Sequence, residues 1–186
     1  MKLRLQPVLT GLLLALFAAE ATAAACNNLL DFSHRRLASS QEENLCQAYA
    51  GQVLLVVNTA SRCGFTGQFS DLEALFQKYR DDGLVVLGFP SDDFNQELDQ
   101  EEATAEVCFV NYGVTFPMFA TSSVSGEQAN ALFAGLAEAE QAPRWNFTKY
   151  LIGRDGAVLE SFGSRVQPLD SDLEQAVVAA LATPKP

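Results

Sequence analysis

Hydrophobic and polar residues follow one another in blocks whose lengths match strands and helices. Residues 52–58 (QVLLVVN) and 84–90 (LVVLGFP) are continuous apolar runs rich in valine, which is typical of strands buried on both faces. Between them, residues 68–80 carry apolar side chains at helical spacing. These are Phe69, Leu72, Leu75, Phe76 and Tyr79. The crossover suits a parallel strand–helix–strand unit, and Gly83 is predicted to cap the helix.

Beyond the second run, the pattern is helical, then extended, then helical again. Residues 101–111 follow an acidic loop and are predicted to form a helix that stops at Gly113. Residues 114–120 (VTFPMFA) predict a third strand, which begins at a turn restricted by proline. Residues 126–140 predict an amphipathic helix. Its apolar side is formed by Ala129, Leu132, Phe133 and Leu136.

The last part of the chain predicts a hairpin and a closing helix. Two strand-like segments, 147–153 and 157–163, flank Arg-Asp-Gly, which is a hairpin signal. Residues 170–182 predict the final helix. The order β-α-β-α-β-α-β-β-α gives a mixed central sheet with flanking helices. This α/β order fits a thioredoxin-like fold with an insertion before its third strand.

The first 25 residues have the parts of a secretory signal peptide. Lys2 and Arg4 make a basic start, VLTGLLLALFAA is a short apolar core, and ATAAA offers cleavage after Ala23 or Ala25. The alternative is a retained membrane anchor, which the A-x-A ending disfavours. We therefore expect an exported protein, periplasmic or secreted, in which residues 26–186 form a single domain.

The chain is acidic, with 12 basic and 23 acidic residues and a net charge of −11. Loss of the signal peptide removes two basic residues and one acidic residue, which makes the net charge −12. Such a surface repels nucleic acids and anionic membranes, so neither is expected as a partner.

Cysteine and histidine counts narrow the chemistry further. Cysteines stand at positions 26, 46, 63 and 108, and export to an oxidising compartment favours disulfides. The one histidine, His34, lies in the polar stretch SHRR and is predicted to be a solvated surface residue. A zinc site would therefore have to draw on cysteine and carboxylate ligands. We expect no metal and no cofactor.

Cys63 lies in NTASRCGFTG, residues 58–67, between the first predicted strand and the first predicted helix. Open α/β sheets place their sites at the carboxyl ends of parallel strands, and a helix start stabilises a thiolate, as does the neighbouring Arg62. Thr66 stands where a C-x-x-C dithiol would have its second cysteine, so rapid exchange between neighbouring thiols is not expected. A lone thiolate suits attack on a hydroperoxide, which leaves a cysteine sulfenic acid. The alternative is that Cys63 is a small buried hydrophobic residue.

Four blocks of the sequence together resemble the glutathione peroxidase family. They are NTASRCGFT, LVVLGFP, YGVTFPMF and WNFTKYLI, which occur in the family's order and spacing. The likeness runs from about residue 29 to about residue 180. It implies a thioredoxin fold and the reduction of hydrogen peroxide and organic hydroperoxides. The family's reactive selenocysteine or cysteine falls on Cys63, so selenium is not implied.

The resemblance implies three further site residues. Trp145 and Asn146 match the family's tryptophan and asparagine directly, whereas its glutamine falls on Gln96 after a shift of one position in FPSDDFNQEL. All three are neutral hydrogen-bond donors, which favour a thiolate and stabilise a leaving oxygen. Without the resemblance, Trp145 is equally a core aromatic and Asn146 a turn residue. The glycosylation sequon at Asn146 is interpreted as accidental, because a glycan there would block the site.

In the two-cysteine branch of the family, the resolving cysteine falls on Cys108. Its attack on the sulfenic acid would give a Cys63–Cys108 disulfide, which a thioredoxin-type protein or glutathione then reduces. The alternative is a buried helix cysteine. Because a disulfide needs Cα atoms within about 7 Å, we expect the helix around Cys108 to unravel during turnover. The short connection LAEAEQAPRWNF implies a monomer, and Ser91 replaces another frequent family cysteine.

Cys26 and Cys46 are predicted to form a structural disulfide that fixes the mature N-terminus. The alternative, from the sequence AAAC, is lipidation of Cys26, which would anchor the protein to a membrane and leave Cys46 unpaired. Two other functions stay open. One is a thiol–disulfide exchange protein of thioredoxin fold, which the missing C-x-x-C disfavours, and the other is a non-catalytic scaffold.

Overall fold

The computed structural model describes residues 29–185. The chain first forms an antiparallel hairpin of β1 (Ser33–Arg35) and β2 (Glu42–Asn44), followed by the short helix α1 (Leu45–Tyr49). The sequence pattern did not predict these elements, because so few residues show no readable periodicity. The predicted signal peptide, residues 1–25, lies outside the described residues.

Four strands form the central sheet. They are β3 (Val53–Thr59), β4 (Leu84–Pro90), β5 (Lys149–Ile152) and β6 (Val158–Phe162). β3 pairs with β4 in parallel, while β5 is antiparallel to both β3 and β6, so the spatial order is β4-β3-β5-β6. The two predicted buried strands and the predicted hairpin are thus confirmed, and the sheet is mixed as expected.

The first crossover also follows the predicted pattern. Helix α2 (Gln68–Tyr79) connects the parallel strands and continues as a 3₁₀ turn, Arg80–Asp82. Gly83 follows with φ 103°, and its N–H bonds to the carbonyl of Arg80. A residue in the left-handed conformation directly after a helix is a C-terminal cap, so the prediction that Gly83 caps this helix is confirmed.

The predicted helix over 101–111 changes its winding along its length. Helix α3 covers only Glu101–Ala105, and the chain continues as wider π-helical turns over Glu106–Asn111. The N–H of Tyr112 accordingly bonds to the carbonyl of Val107, five residues earlier, at 3.2 Å. π-Helical turns are uncommon and occur frequently at functional sites.

The predicted third strand, 114–120, is wrong as a regular strand. The segment makes single bridges, from Met118 to Gly88 and from Phe119 to Arg36. Pro117 is the physical reason, because proline has no N–H to continue a ladder. The contact at Gly88 is also very close, since a Cβ there would lie 2.2 Å from the Met118 sulfur.

Two side-chain caps start the remaining helices. Helix α4 (Ala131–Ala139) begins after Asn130, whose Oδ1 accepts the N–H of Phe133 at 3.1 Å. The predicted helix over 126–140 is therefore shorter, and a separate 3₁₀ turn, Gly126–Gln128, precedes it. Helix α5 (Asp172–Leu181) begins after Ser171, whose hydroxyl caps it in the same way. Both positions are occupied by residue types that favour helix caps.

The core lies on both faces of the sheet, because β3 is buried along its whole length. Leu55 and Val57 pack with α2 and α5 on one face. Leu54 and Val56 pack with α4 on the other. This alternation follows from the two-residue period of a strand and sandwiches β3 between helical layers.

A buried lysine of β5 connects three separate segments of the chain. Lys149 of β5 is fully buried, and its ammonium donates to Gln68 Oε1 at 2.5 Å and to the carbonyl of Val166 at 2.8 Å. No carboxylate in the described part of the chain forms an ion pair with it. Burial lowers the pKa of Lys149 to about 7.

Within residues 29–185, no helix has the length and apolar character that crossing a bilayer would require.

The pKa of Lys149 predicts a pH-dependent stability. Between pH 7 and 10.5 the unfolded chain keeps a proton that folded Lys149 loses, so the free energy of unfolding rises with pH over this window. The slope from this group is at most about 1.4 kcal/mol per pH unit. Lys149→Met is expected to flatten the rise, as measured by urea unfolding at successive pH values. The control, Lys185→Met at an exposed lysine, keeps the wild-type slope, and equal slopes in all three proteins would contradict the prediction.

Candidate active site

Cys63 lies in the turn that leads from the carboxyl end of β3 to α2. Its side chain is nearly buried, with 8% of the residue exposed, and the N–H of Phe65 donates to its Sγ at 3.4 Å. Helix α2 begins at Gln68, as the sequence predicted, five residues after Cys63. The donor to the sulfur is therefore an amide of the turn itself rather than of the helix.

Thr66 holds this turn closed. Its Oγ1 accepts the N–H of Cys63 at 3.0 Å and lies 2.7 Å from the carbonyl of Cys63 and 2.9 Å from that of Ala60. Thr66 is itself buried. The position of a second cysteine in a dithiol motif is thus occupied by a residue with a structural role.

Gln96 connects the Cys63 turn with the segment before β5. Its carbonyl accepts the N–H of Arg62 at 2.9 Å, and its side-chain Oε1 accepts a hydrogen from Asn146 Nδ2 at 3.1 Å. Among the described residues the amide nitrogen of Gln96 has no hydrogen-bond partner, so its two hydrogens are available for donation. The one-position shift used to assign Gln96 thus selects a residue in contact with Asn146.

Asn146 and Trp145 differ sharply in exposure. Asn146 is fully buried, and its Oδ1 has no hydrogen-bond partner within residues 29–185. Trp145 is 41% exposed, and its ring lies 5.3 Å from that of Phe94. A buried acceptor without a hydrogen-bond partner reduces the stability of the fold. Such unpaired groups in a native structure often have a functional role.

A surface groove of about 590 Å³ adjoins these residues. It is lined by Phe65, Arg144, Trp145, Gly163, Ser164, Arg165 and Val166. Trp145 and Phe65 thus line the same groove, and Phe65 is the residue whose amide contacts the Cys63 sulfur. Arg144 and Arg165 could not be recognised from the sequence, because nothing in their sequence neighbourhood shows that they line the same groove.

Cys108 has a different environment from Cys63. It lies in the π-helical segment and is 1% exposed, and burial together with the charge of Glu97 raises its pKa to about 12. Both cysteines are free thiols and belong to the same buried cluster. Cys108 is therefore a protonated, enclosed thiol at neutral pH.

The other predicted residues have mixed outcomes. Cys46 is disulfide-bonded, while Cys26 lies outside the described residues, so their pairing stays a prediction.

The expectation that His34 is solvated is wrong: its ring packs edge-on against Phe89 and Phe119, with centroids 5.2 and 5.8 Å away. Burial correspondingly lowers the pKa of His34. Within residues 29–185, no three His, Cys, Asp or Glu residues are grouped to hold a metal ion.

Comparison with known proteins gives consistent results. The family model described as glutathione peroxidase matches residues 29–137. A "Glutathione peroxidase" of Lactococcus lactis subsp. cremoris is 42% identical over 153 residues, which cover 79% of this chain and 96% of the relative. A "Glutathione peroxidase-like peroxiredoxin gpx1" of Schizosaccharomyces pombe is 45% identical over 132 residues, covering 67% of this chain and 84% of the relative.

A solved structure supports the same assignment. "Crystal structure of Trgpx in apo form" superposes with a TM-score of 0.69 at 33% identity, and the match covers 87% of this chain and all of the other. The predicted thioredoxin-like α/β fold is thereby confirmed. On the match of the family model and the identity to these relatives, the chain belongs to the glutathione peroxidase family.

Proposed function

We propose that Cys63 is the peroxidatic cysteine of a thiol peroxidase that reduces hydrogen peroxide and organic hydroperoxides. Membership of the glutathione peroxidase family makes this chain a peroxidase oxidoreductase. The observation that carries the assignment to Cys63 is the turn at the end of β3, where the Phe65 amide contacts the sulfur. The neighbouring Arg62 amide binds the Gln96 carbonyl, and Gln96 binds Asn146.

In the first step, the Cys63 thiolate attacks the terminal oxygen of ROOH. The S–O bond forms as the O–O bond breaks, and the alkoxide takes up a proton and leaves as ROH. The sulfur is oxidised by two electrons to a sulfenic acid, and the peroxide is reduced by the same two. The Phe65 amide stabilises the thiolate, and the free amide of Gln96 stabilises the leaving oxygen without adding net charge.

In the second step, the Cys108 thiol attacks the sulfenic acid. An S–S bond forms, the S–O bond breaks, and the Cys108 proton leaves with the hydroxide as water. A thioredoxin-type protein or glutathione then reduces the disulfide. The burial and raised pKa of Cys108 require its segment to open first. The exposure of the adjacent Phe109 and Val110 supports this opening, since neither side chain holds the segment in the core.

The proposal extends to an exported monomer with a Cys26–Cys46 disulfide. The signal-like start of the sequence supports export, and the disulfide state of Cys46 supports the pairing. Thiol–disulfide exchange is the weaker candidate, because Thr66 fixes the turn where an exchange protein needs its second thiol.

Cys63→Ser is expected to abolish peroxide consumption by the reduced protein, because a serine hydroxyl is not ionised near neutral pH. The matched control is Cys108→Ser, which keeps the reactive sulfur and is expected to consume a single equivalent of peroxide and then stop with a thioredoxin-type donor. Stopped-flow peroxide assays measure both. Retention of the wild-type rate by Cys63→Ser would rule out this assignment, and undiminished cycling by Cys108→Ser would remove Cys108 from the mechanism.

Oxidation is expected to open the segment around Cys108. Backbone amides of residues 106–111 should exchange with deuterium faster in the peroxide-treated wild type than in the reduced protein, as measured by mass spectrometry. Cys108→Ser treated with peroxide serves as the control and should keep the slow exchange, because no disulfide can form. Equal protection in the reduced and disulfide forms would show that the segment does not need to open.

Gln96→Glu is expected to slow oxidation of Cys63 by about 10²-fold, because it replaces a neutral donor with an anion in the loop that binds the Cys63 turn through Arg62. Gln175→Glu makes the same charge change at an exposed position of α5 and should leave the rate unaltered. The measurement is the second-order rate constant for oxidation by hydrogen peroxide. An equal rate in both variants would exclude a role for the Gln96 amide.

A further inference from the structure

Asn58 is a buried amide that the chemistry described above does not use. It is the sixth residue of β3 and lies five positions before Cys63, with no exposed surface. A buried side-chain amide must find partners for both its donor and its acceptor, so its contacts show what it holds.

All four hydrogen-bonding groups of Asn58 go to one short segment, residues 145–148. Its N–H donates to the carbonyl of Thr148 at 3.3 Å, and its carbonyl accepts the N–H of Phe147 at 2.7 Å. Its Nδ2 donates to the carbonyl of Trp145 at 3.2 Å, and its Oδ1 accepts the N–H of Thr148 at 3.1 Å. The side chain thus holds the turn just beyond the last β3–β5 pair, Val57 with Lys149.

The turn over residues 145–148 needs these hydrogen bonds because its backbone is strained. Phe147 has φ 62°, a conformation that residues with a side chain adopt at a cost. The same turn carries Trp145, which faces the groove, and Asn146, which contacts Gln96, while the Phe147 ring is buried 5.3 Å from that of Phe69. The orientation of three successive side chains therefore depends on one backbone geometry.

We propose that Asn58 is a positioning residue that fixes this turn and thereby places Trp145 and Asn146 for peroxide reduction at Cys63. The proposal rests on the proposed peroxidase function. An amide is required here, because the side chain must donate to one backbone group and accept from another at the same time. An ionised carboxylate of the same shape keeps the acceptor for Thr148 but has no donor for the Trp145 carbonyl.

Asn58→Asp tests this directly, and Thr59→Val is its matched control. Thr59 is the next residue of β3 and is equally buried, and its Oγ1 has no hydrogen-bond partner within the described residues. The chain has a single tryptophan, so its fluorescence reports on Trp145 alone. Asn58→Asp is expected to increase acrylamide quenching of Trp145 and to slow Cys63 oxidation by about 10²-fold, the usual cost of a displaced catalytic group.

A second measurement separates positioning from general damage. Reduction of the oxidised protein by dithiothreitol does not require the aligned turn. The rate of this reduction in Asn58→Asp should therefore stay within about two-fold of the wild-type rate, because its activation free energy should change little. Should Asn58→Asp not fold, Asn58→Ser, which introduces no charge, is assessed by the same measurements. The fluorescence measurement does not depend on turnover. If the wild-type protein had no peroxidase activity, the proposed function would be refuted, but this test of the turn would still be valid.

The proposal is overturned if Asn58→Asp keeps both the wild-type quenching and the wild-type oxidation rate. It is also overturned if Thr59→Val produces the same losses, because the effect would then belong to the end of β3 in general. An additional Trp145→Phe substitution should slow Asn58→Asp by less than it slows the wild type, since the two residues act through one turn. If the effects of the two substitutions on the oxidation rate were fully additive, Asn58 would not act through Trp145, and the proposal would be contradicted.

Discussion

The antiparallel pairing of β3 with β5 is the interaction on which the site depends. Because β5 runs against β3, the residues that precede β5 lie beside those that follow β3. β4 runs parallel to β3, so its carboxyl end, and the loop with Gln96, reaches the same edge. Three segments far apart in sequence thus meet at Cys63, and the hydrogen bond between Gln96 and Asn146 joins two of them.

The two free thiols have different surroundings. Cys63 is contacted by a backbone amide in a turn, where a thiolate gains a donor. Cys108 is enclosed in the core near Glu97, which favours the protonated form. In the proposed cycle, Cys63 reacts first, and Cys108 reacts only after its π-helical segment has opened.

The sequence predicts the structure best where the local pattern of residues determines it. The buried strands, α2 and its cap at Gly83 follow from apolar runs, helical spacing and the left-handed preference of glycine. The failures depend on long-range contacts or on competing local rules. Apolar residues in 114–120 suggested a strand that Pro117 prevents, and polar neighbours of His34 concealed its packing on Phe89. The bond from Gln96 to Asn146 spans 50 positions, so no periodicity could reveal it.

The close contact between Gly88 and Met118 has a consequence for a protein that handles oxidants. The Met118 thioether fills the space that any larger residue at position 88 would occupy, and Met118 is only 1% exposed. Sulfoxide formation would add an oxygen to a side chain packed in the core and would place a polar group there. The burial of an oxidisable sulfur thus depends on the absence of a side chain at residue 88, because a larger residue there would displace the thioether.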